Sequence, residues 1–274
     1  MGLAKLFDNV LQMPTIPKVV QEVLQLLNHD DADMNDVIER LKVDQVVSAK
    51  ILRLANTAHY GMPGKVASIN DAVSLLGTTV LRNLVASCGV TTAFKQMDGF
   101  DLDAFWHDSL FAGSCAKWVA QHARLNADNA FTAGLMHGIG KLLIHMAYPK
   151  ESASIQKADQ GKPYIRVKLE QSLLQTDHCE VGAELAKLWH FPKDIQDAIH
   201  YYVEPLKIEP FPKYAGCVHL GLLAADWIKQ STPLADIEAV FPHALEGKLE
   251  IYMGKLFTDM DQLAAINAQL DEFI

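Results

Sequence analysis

The chain has 274 residues, enough to bury a core without disulfide or metal staples, and its 50% hydrophobic and 21% charged content excludes disordered and low-complexity classes. Lys plus Arg number 24 against 33 Asp plus Glu, and the net charge of −9 excludes a nucleic-acid binder that works by covering phosphates with cations. Histidine stands out at 11, while the four cysteines, Cys88, Cys115, Cys179 and Cys217, form no Cys-x-x-Cys pair for a zinc ribbon or redox motif.

Helical periodicity dominates and strand alternation is nearly absent, so the expected fold class is all-α in two multi-helix lobes. Thr15 and Pro17 suit a first helical turn, followed by Val19, Val23 and Leu26 at helical spacing. Asp33 and Asp44 can cap the next two helices, whose stripes are Val37 and Leu41, then Val47, Ile51 and Leu54. The cluster Gly61-Met62-Pro63-Gly64 breaks the chain, and Ser68-x-x-Asp71 restarts a helix that Gly77 ends. Leu81, Leu84, Val85 and Cys88 mark a fifth helix.

The pattern pauses near Met97-Asp98-Gly99, which predicts a lobe boundary: an N-terminal lobe over 13–97, a second over 100–230 and an extension over 231–274. Asp101 can cap a long helix with a row of Ala112, Ala116 and Ala120 that admits a close neighbour. Asp128 can cap another that runs through Leu135 and Leu142 toward Pro149. Helices are expected at 164–175, 178–190, 193–203 and 214–230, then a less regular segment. No long apolar run suggests a membrane span, so a cytoplasmic protein without membrane contact is expected.

Helical metal sites draw single ligands from several helices, so dispersed His and Asp residues carry the signal. His107 sits among apolar residues, either as a hydrogen-bonded core residue or as a ligand. In Gly134-Leu135-Met136-His137-Gly138-Ile139-Gly140-Lys141 the small residues mean a close backbone crossing or a binding site, with His137 and Lys141 at i, i+4 on one helical face. His178 follows the capping residue Asp177, with Glu180 completing the box, and reads as surface or ligand; His200 ends an apolar helix. Asp226 lies in the apolar run Leu220 to Ile228, where burial would demand a metal, an imidazole or an Arg as partner.

These residues, with Met13-Pro14-Thr15-Ile16-Pro17, Lys50-Ile51-Leu52-Arg53-Leu54-Ala55-Asn56 and Ser68 to Gly77, resemble an HDOD domain, the output-type relative of the HD superfamily of metal-dependent phosphohydrolases. The resemblance runs over about 13–230. It implies that His107, His137 and Asp226 would hold a first divalent metal (Fe, Mn or Zn), that His178 and His200 would serve a second, and that Lys141 would neutralise phosphate. Gly138 stands where the His-Asp doublet's Asp belongs, and Tyr201 follows His200 where a second His is usual. With the bridging carboxylate gone, partial or no metal occupancy is expected. The resemblance therefore implies a stand-alone bacterial signal-transduction module that acts through a protein partner in trans or a small phosphate-containing ligand, without nucleic acid. A phosphohydrolase of a nucleotide or phosphodiester is the alternative.

Overall fold

The computed structural model describes residues 2–10, 13–27, 32–56 and 66–270. Among them are seventeen α-helices and no strand, in agreement with the predicted all-α class. Among the described residues no single helix is long and apolar enough to cross a membrane. The chain divides into two compact units, residues 1–13 with 96–265 and residues 14–95 with 266–274.

Helix α1 (Leu3–Asn9), which the periodicity does not announce, belongs to the first of these, unit 1. Unit 2 is built from α2 (Lys18–Leu26), α3 (Met34–Val43), α4 (Gln45–Ala55) and α5 (Ile69–Ala93). Asp33 caps α3 through the Asn35 N–H, and Asp44 caps α4 through Val46 and Val47, each cap being worth about 1 kcal/mol. Of the expected stripes, Val23, Val37, Leu41, Val47, Ile51, Leu81, Leu84, Val85 and Cys88 are fully buried, while Val19, Leu26 and Leu54 are only half-buried because the core-facing positions there are their neighbours Val20, Leu27 and Ala55. Each fully buried Val, Leu or Ile contributes roughly 1.5–3 kcal/mol. Gly77 breaks α5 as predicted, with φ of 74° that a residue with a Cβ rarely adopts. Gly89 lets α2 approach α5, because a Cβ there would lie 2.6 Å from Val20. The expected break at Gly61-Met62-Pro63-Gly64, together with His29 and His59, lies outside the described residues.

Unit 1 continues with α6 (Leu102–His122), α7 (Ala127–Met136), α8 (Ile139–Ala147), α9 (Pro149–Ala158), α10 (Pro163–Leu174), α11 (His178–Leu188), α12 (Lys193–Tyr201) and α13 (Lys213–Lys229). Short helices α14 (Leu234–Val240), α15 (His243–Leu249) and α16 (Met253–Thr258) follow, then α17 (Asp261–Leu270), whose residues from 266 on belong to unit 2. The segment expected to be irregular is thus a series of helices punctuated by Pro233 and Pro242, and Phe241 packs tilted against Trp227 and edge-to-face with Phe257.

Two local expectations fail for identifiable reasons. The helix predicted from Asp128 toward Pro149 is two, α7 and α8, since the chain turns at His137-Gly138, and Pro149 opens α9 at its first position, where a missing N–H costs nothing. Its cap is Asn126, which accepts from Asp128 and Asn129, so Asp128 lies inside the first turn. The small residues serve close crossings: a Cβ on Gly134 would lie 2.7 Å from Gly113 and 3.0 Å from Ala116, and one on Gly140 2.0 Å from the His178 carbonyl. The alanine row of α6 therefore does admit a neighbour.

Candidate functional site

The turn at His137-Gly138 lies against a cavity of about 460 Å³ in unit 1, whose lining includes Phe105, Asp108, His137, Lys141, Tyr202, His219, Asp226 and Lys229. His137 is 7% exposed and its Nδ1 is 2.6 Å from the Gly134 carbonyl oxygen. A carbonyl only accepts, so Nδ1 carries the hydrogen and Nε2 keeps the lone pair. Burial, reinforced by the nearby Lys141 charge, pushes the imidazole down to about 3, so it stays neutral. Lys141 is likewise held below the usual ammonium range, by burial and then by Arg166.

Beneath this wall runs a buried polar chain. Asp159 accepts from Arg166 Nη1 at 2.8 Å, and Arg166 Nε donates to Glu170 at 2.7 Å. The other Glu170 oxygen accepts from the His178 backbone N–H at 2.9 Å and from its Nδ1 at 2.6 Å. His178 Nε2 then accepts from the Tyr202 hydroxyl at 2.6 Å. Burial alone would raise the Glu170 carboxyl, but the His178 contacts and the Arg166 guanidinium outweigh it and hold it at about 2. Burial keeps His178 below its ordinary value against the pull of Glu170, and keeps the Tyr202 hydroxyl protonated. Every donor and acceptor of His178 is therefore engaged.

The other expected ligands do not join it. His178 is fully buried, so the surface reading fails; its capping residue Asp177 holds the Cys179 and Glu180 N–H groups as predicted, while Glu180 accepts from Thr176 instead of closing a box. His107 is half-buried on α6, with Nδ1 3.5 Å from Asp108. Asp226 is exposed at the cavity and accepts from Gln230 at 2.7 Å, so the demand for a buried partner lapses: α13 turns this position outward from its apolar face. His200 is exposed, stacked on Tyr201, and is not among the residues lining the cavity. Lys141 does line it beside His137, but through the turn at 137–138 and not through one continuous helical face.

A family model for the HDOD domain matches residues 13–205. The chain belongs to the HDOD family. A crystal structure from Shewanella amazonensis SB2B, provisionally named a phosphohydrolase, is 31% identical over 98% of both chains with a TM-score of 0.83. An HDOD domain protein of unknown function from Geobacter sulfurreducens is 24% identical, covers 99% of this chain and 97% of its own, and gives a TM-score of 0.81, which speaks for the fold. A relative in Treponema pallidum (strain Nichols), itself uncharacterized, is 26% identical over 206 residues; the match spans 73% of this chain and 39% of that protein.

Whether this HDOD chain's donors suit a divalent metal can be judged from their arrangement. Among the described residues no three His, Cys, Asp or Glu side chains converge as a metal requires. A Cβ on Gly138 would lie 3.3 Å from the Phe105 ring, so an aromatic edge fills the space where the doublet's carboxylate would project. The lone pair of His178 Nε2 is taken by the Tyr202 hydroxyl, and Asp226, though it lines the cavity, is exposed and accepts from Gln230. The donor set as arranged does not fit the two-metal site that the HD resemblance implies. Sequence reasoning missed Glu170, Arg166, Tyr202 and His219. The i, i+4 spacing of Arg166 and Glu170 was a signal for a pair, but such pairs usually sit on solvated faces.

Proposed function

We propose that this HDOD chain is a regulatory module with a degenerate HD metal site, whose cavity binds a small phosphate-containing anion and whose bound state is read by a signalling protein in trans. The observation that carries the reading is the complete engagement of His178 by Glu170 and Tyr202, which makes a candidate metal ligand into a structural bridge behind the cavity wall. Lys141 and Lys162 supply cationic groups at the cavity, where Lys229 is paired with Asp108 and Asp226 accepts from Gln230. His137, neutral down to about pH 3, is too weak a base to activate water near neutral pH, which supports binding over turnover. The four free, buried cysteines support a reducing, cytoplasmic setting.

The test is a screen of phosphodiester and nucleotide substrates with added Mn²⁺, run beside thermal-shift measurements with phosphate-bearing anions. Background turnover and an upward thermal shift that Lys141→Met removes are the expected results. Turnover abolished by His137→Ala would instead establish the metal-dependent phosphohydrolase.

A further inference from the structure

We propose that the cavity selects its ligand through the pair His137 and Lys141, an obligate hydrogen-bond acceptor beside an ammonium, so that the ligand is a small anion bearing a hydroxyl or N–H donor next to its charge. The inference rests on the anion-binding reading above and sharpens it.

The pair is built and not incidental. The Gly134 carbonyl fixes the tautomer of His137, and the ring is held edge-on against Tyr202 at 5.2 Å with an interplanar angle of 85°. Among the described residues the one hydrogen bond of His137 is made by Nδ1, Nε2 has no hydrogen-bond partner, and the residue lines the cavity. This cavity-lining side chain is more than nine-tenths buried and carries an unfilled acceptor. Lys141 has no carboxylate within ion-pair distance among the described residues, so its charge also awaits a partner. The acids at the cavity do not compete, since Asp108 pairs with Lys229 at 2.5 Å and Asp226 with Gln230. The Tyr202 hydroxyl is committed to His178. His219 repeats the pattern on another wall, its Nδ1 donating to the Tyr202 carbonyl at 2.8 Å.

This chemistry discriminates. An anion with only acceptor oxygens satisfies Lys141 but sets its lone pairs against that of His137 Nε2, leaving a desolvated acceptor unfilled. An anion with an adjacent O–H or N–H satisfies both groups. A hydroxylated phosphate ester and a hydroxycarboxylate share this chemistry.

Calorimetry with four probes separates them: ribose 5-phosphate against propyl phosphate, and gluconate against hexanoate. The expected result is that at least one hydroxylated probe binds about tenfold more tightly than its alkyl counterpart, the weight of one hydrogen bond. The favoured pair identifies the source of the anion. His137→Phe, which keeps a ring against Tyr202, should remove that difference, and Lys141→Met should weaken both members of the pair. Equal binding within both pairs, or a preference that survives His137→Phe, overturns the selectivity while leaving anion binding in place. No binding by any probe overturns both. In the unsubstituted protein, ¹⁵N-histidine spectra provide a check independent of variant folding: His137 should be the Nδ1–H tautomer with an Nε2 resonance that moves on binding, and a proton found on Nε2 overturns the proposal.

Discussion

The Tyr202 hydroxyl lies 2.6 Å from His178 Nε2, the one nitrogen of that ring that Glu170 leaves unbonded. Twenty-four residues apart in the chain, the two side chains join α11 to the C-terminal end of α12 and place a phenol on the cavity wall. Tyr202→Phe keeps the packing and deletes the donor. The buried Nε2 then keeps only the weak contact with the Cys179 thiol at 3.6 Å, and chemical denaturation should show a loss of about 1–3 kcal/mol.

Glu170 bridges Arg166 and His178, all three being buried. Glu170→Ala strands the Arg166 charge with Asp159 alone and should cost about 3–5 kcal/mol. The double variant Arg166→Met/Glu170→Leu, which removes the charges together, should recover part of that loss. Urea midpoints compared among the three proteins test the point, and a double variant less stable than Glu170→Ala would contradict it.

Stability should fall on acidification in two stages. His137 sits near 3 when folded against the usual imidazole value of about 6.5, so between these the unfolded chain takes up the extra proton. Its contribution is complete above about pH 6.5 and declines toward pH 3 by up to roughly 1.4 kcal/mol per pH unit, and His178 adds a loss of the same sign. Glu170, lowered to about 2, contributes fully above the ordinary carboxyl value and loses that contribution as pH falls to about 2. Urea midpoints between pH 7 and 5 should decline, and His137→Phe should flatten the slope.

The glycines of the 134–141 segment should differ sharply in tolerance. A Cβ on Gly140 meets the His178 backbone oxygen at 2.0 Å, which neither α8 nor α11 can relieve without separating, so Gly140→Ala should cost about 3 kcal/mol or more. On Gly138 the nearest contact is the Phe105 ring at 3.3 Å, and Gly138→Ala should cost less than about 1 kcal/mol. Thermal denaturation of the two variants distinguishes them.

Gly138→Asp restores a carboxylate to the doublet but points it at Phe105, while His178 stays bonded and Asp226 stays engaged by Gln230 at the exposed rim. Its transition-metal content after purification without chelator should stay at background. Close to one or two ions per chain, measured by elemental analysis, would mean that the helices bring the donors together when a carboxylate is supplied.

Much of the helical order is local in origin, and the sequence carries it openly. Asp33, Asp44, Ser68 and Asp101 act as the expected caps, and Gly77 breaks α5, because each bonds or bends the chain within three residues of itself. The motifs that resemble HDOD domains were legible for the same reason, as short strings of residues. At Asn126 the competition between neighbouring polar residues for one cap was settled by geometry, and at Pro149 a residue that can either end or begin a helix began one.

The site was legible as a set of residues and not as an arrangement. By itself the sequence determined that the protein is helical, that its His and Asp residues are dispersed over several helices, and that Gly138 can offer no ligand atom. Only the tertiary structure decided that His178 faces Glu170 and Tyr202, that His137 is fixed as an acceptor beside Lys141, and that Asp226 turns to solvent. The physical reason is that a side chain's chemistry is set by which groups share its low-dielectric surroundings. Those groups arrive from other helices, at separations that no local pattern encodes.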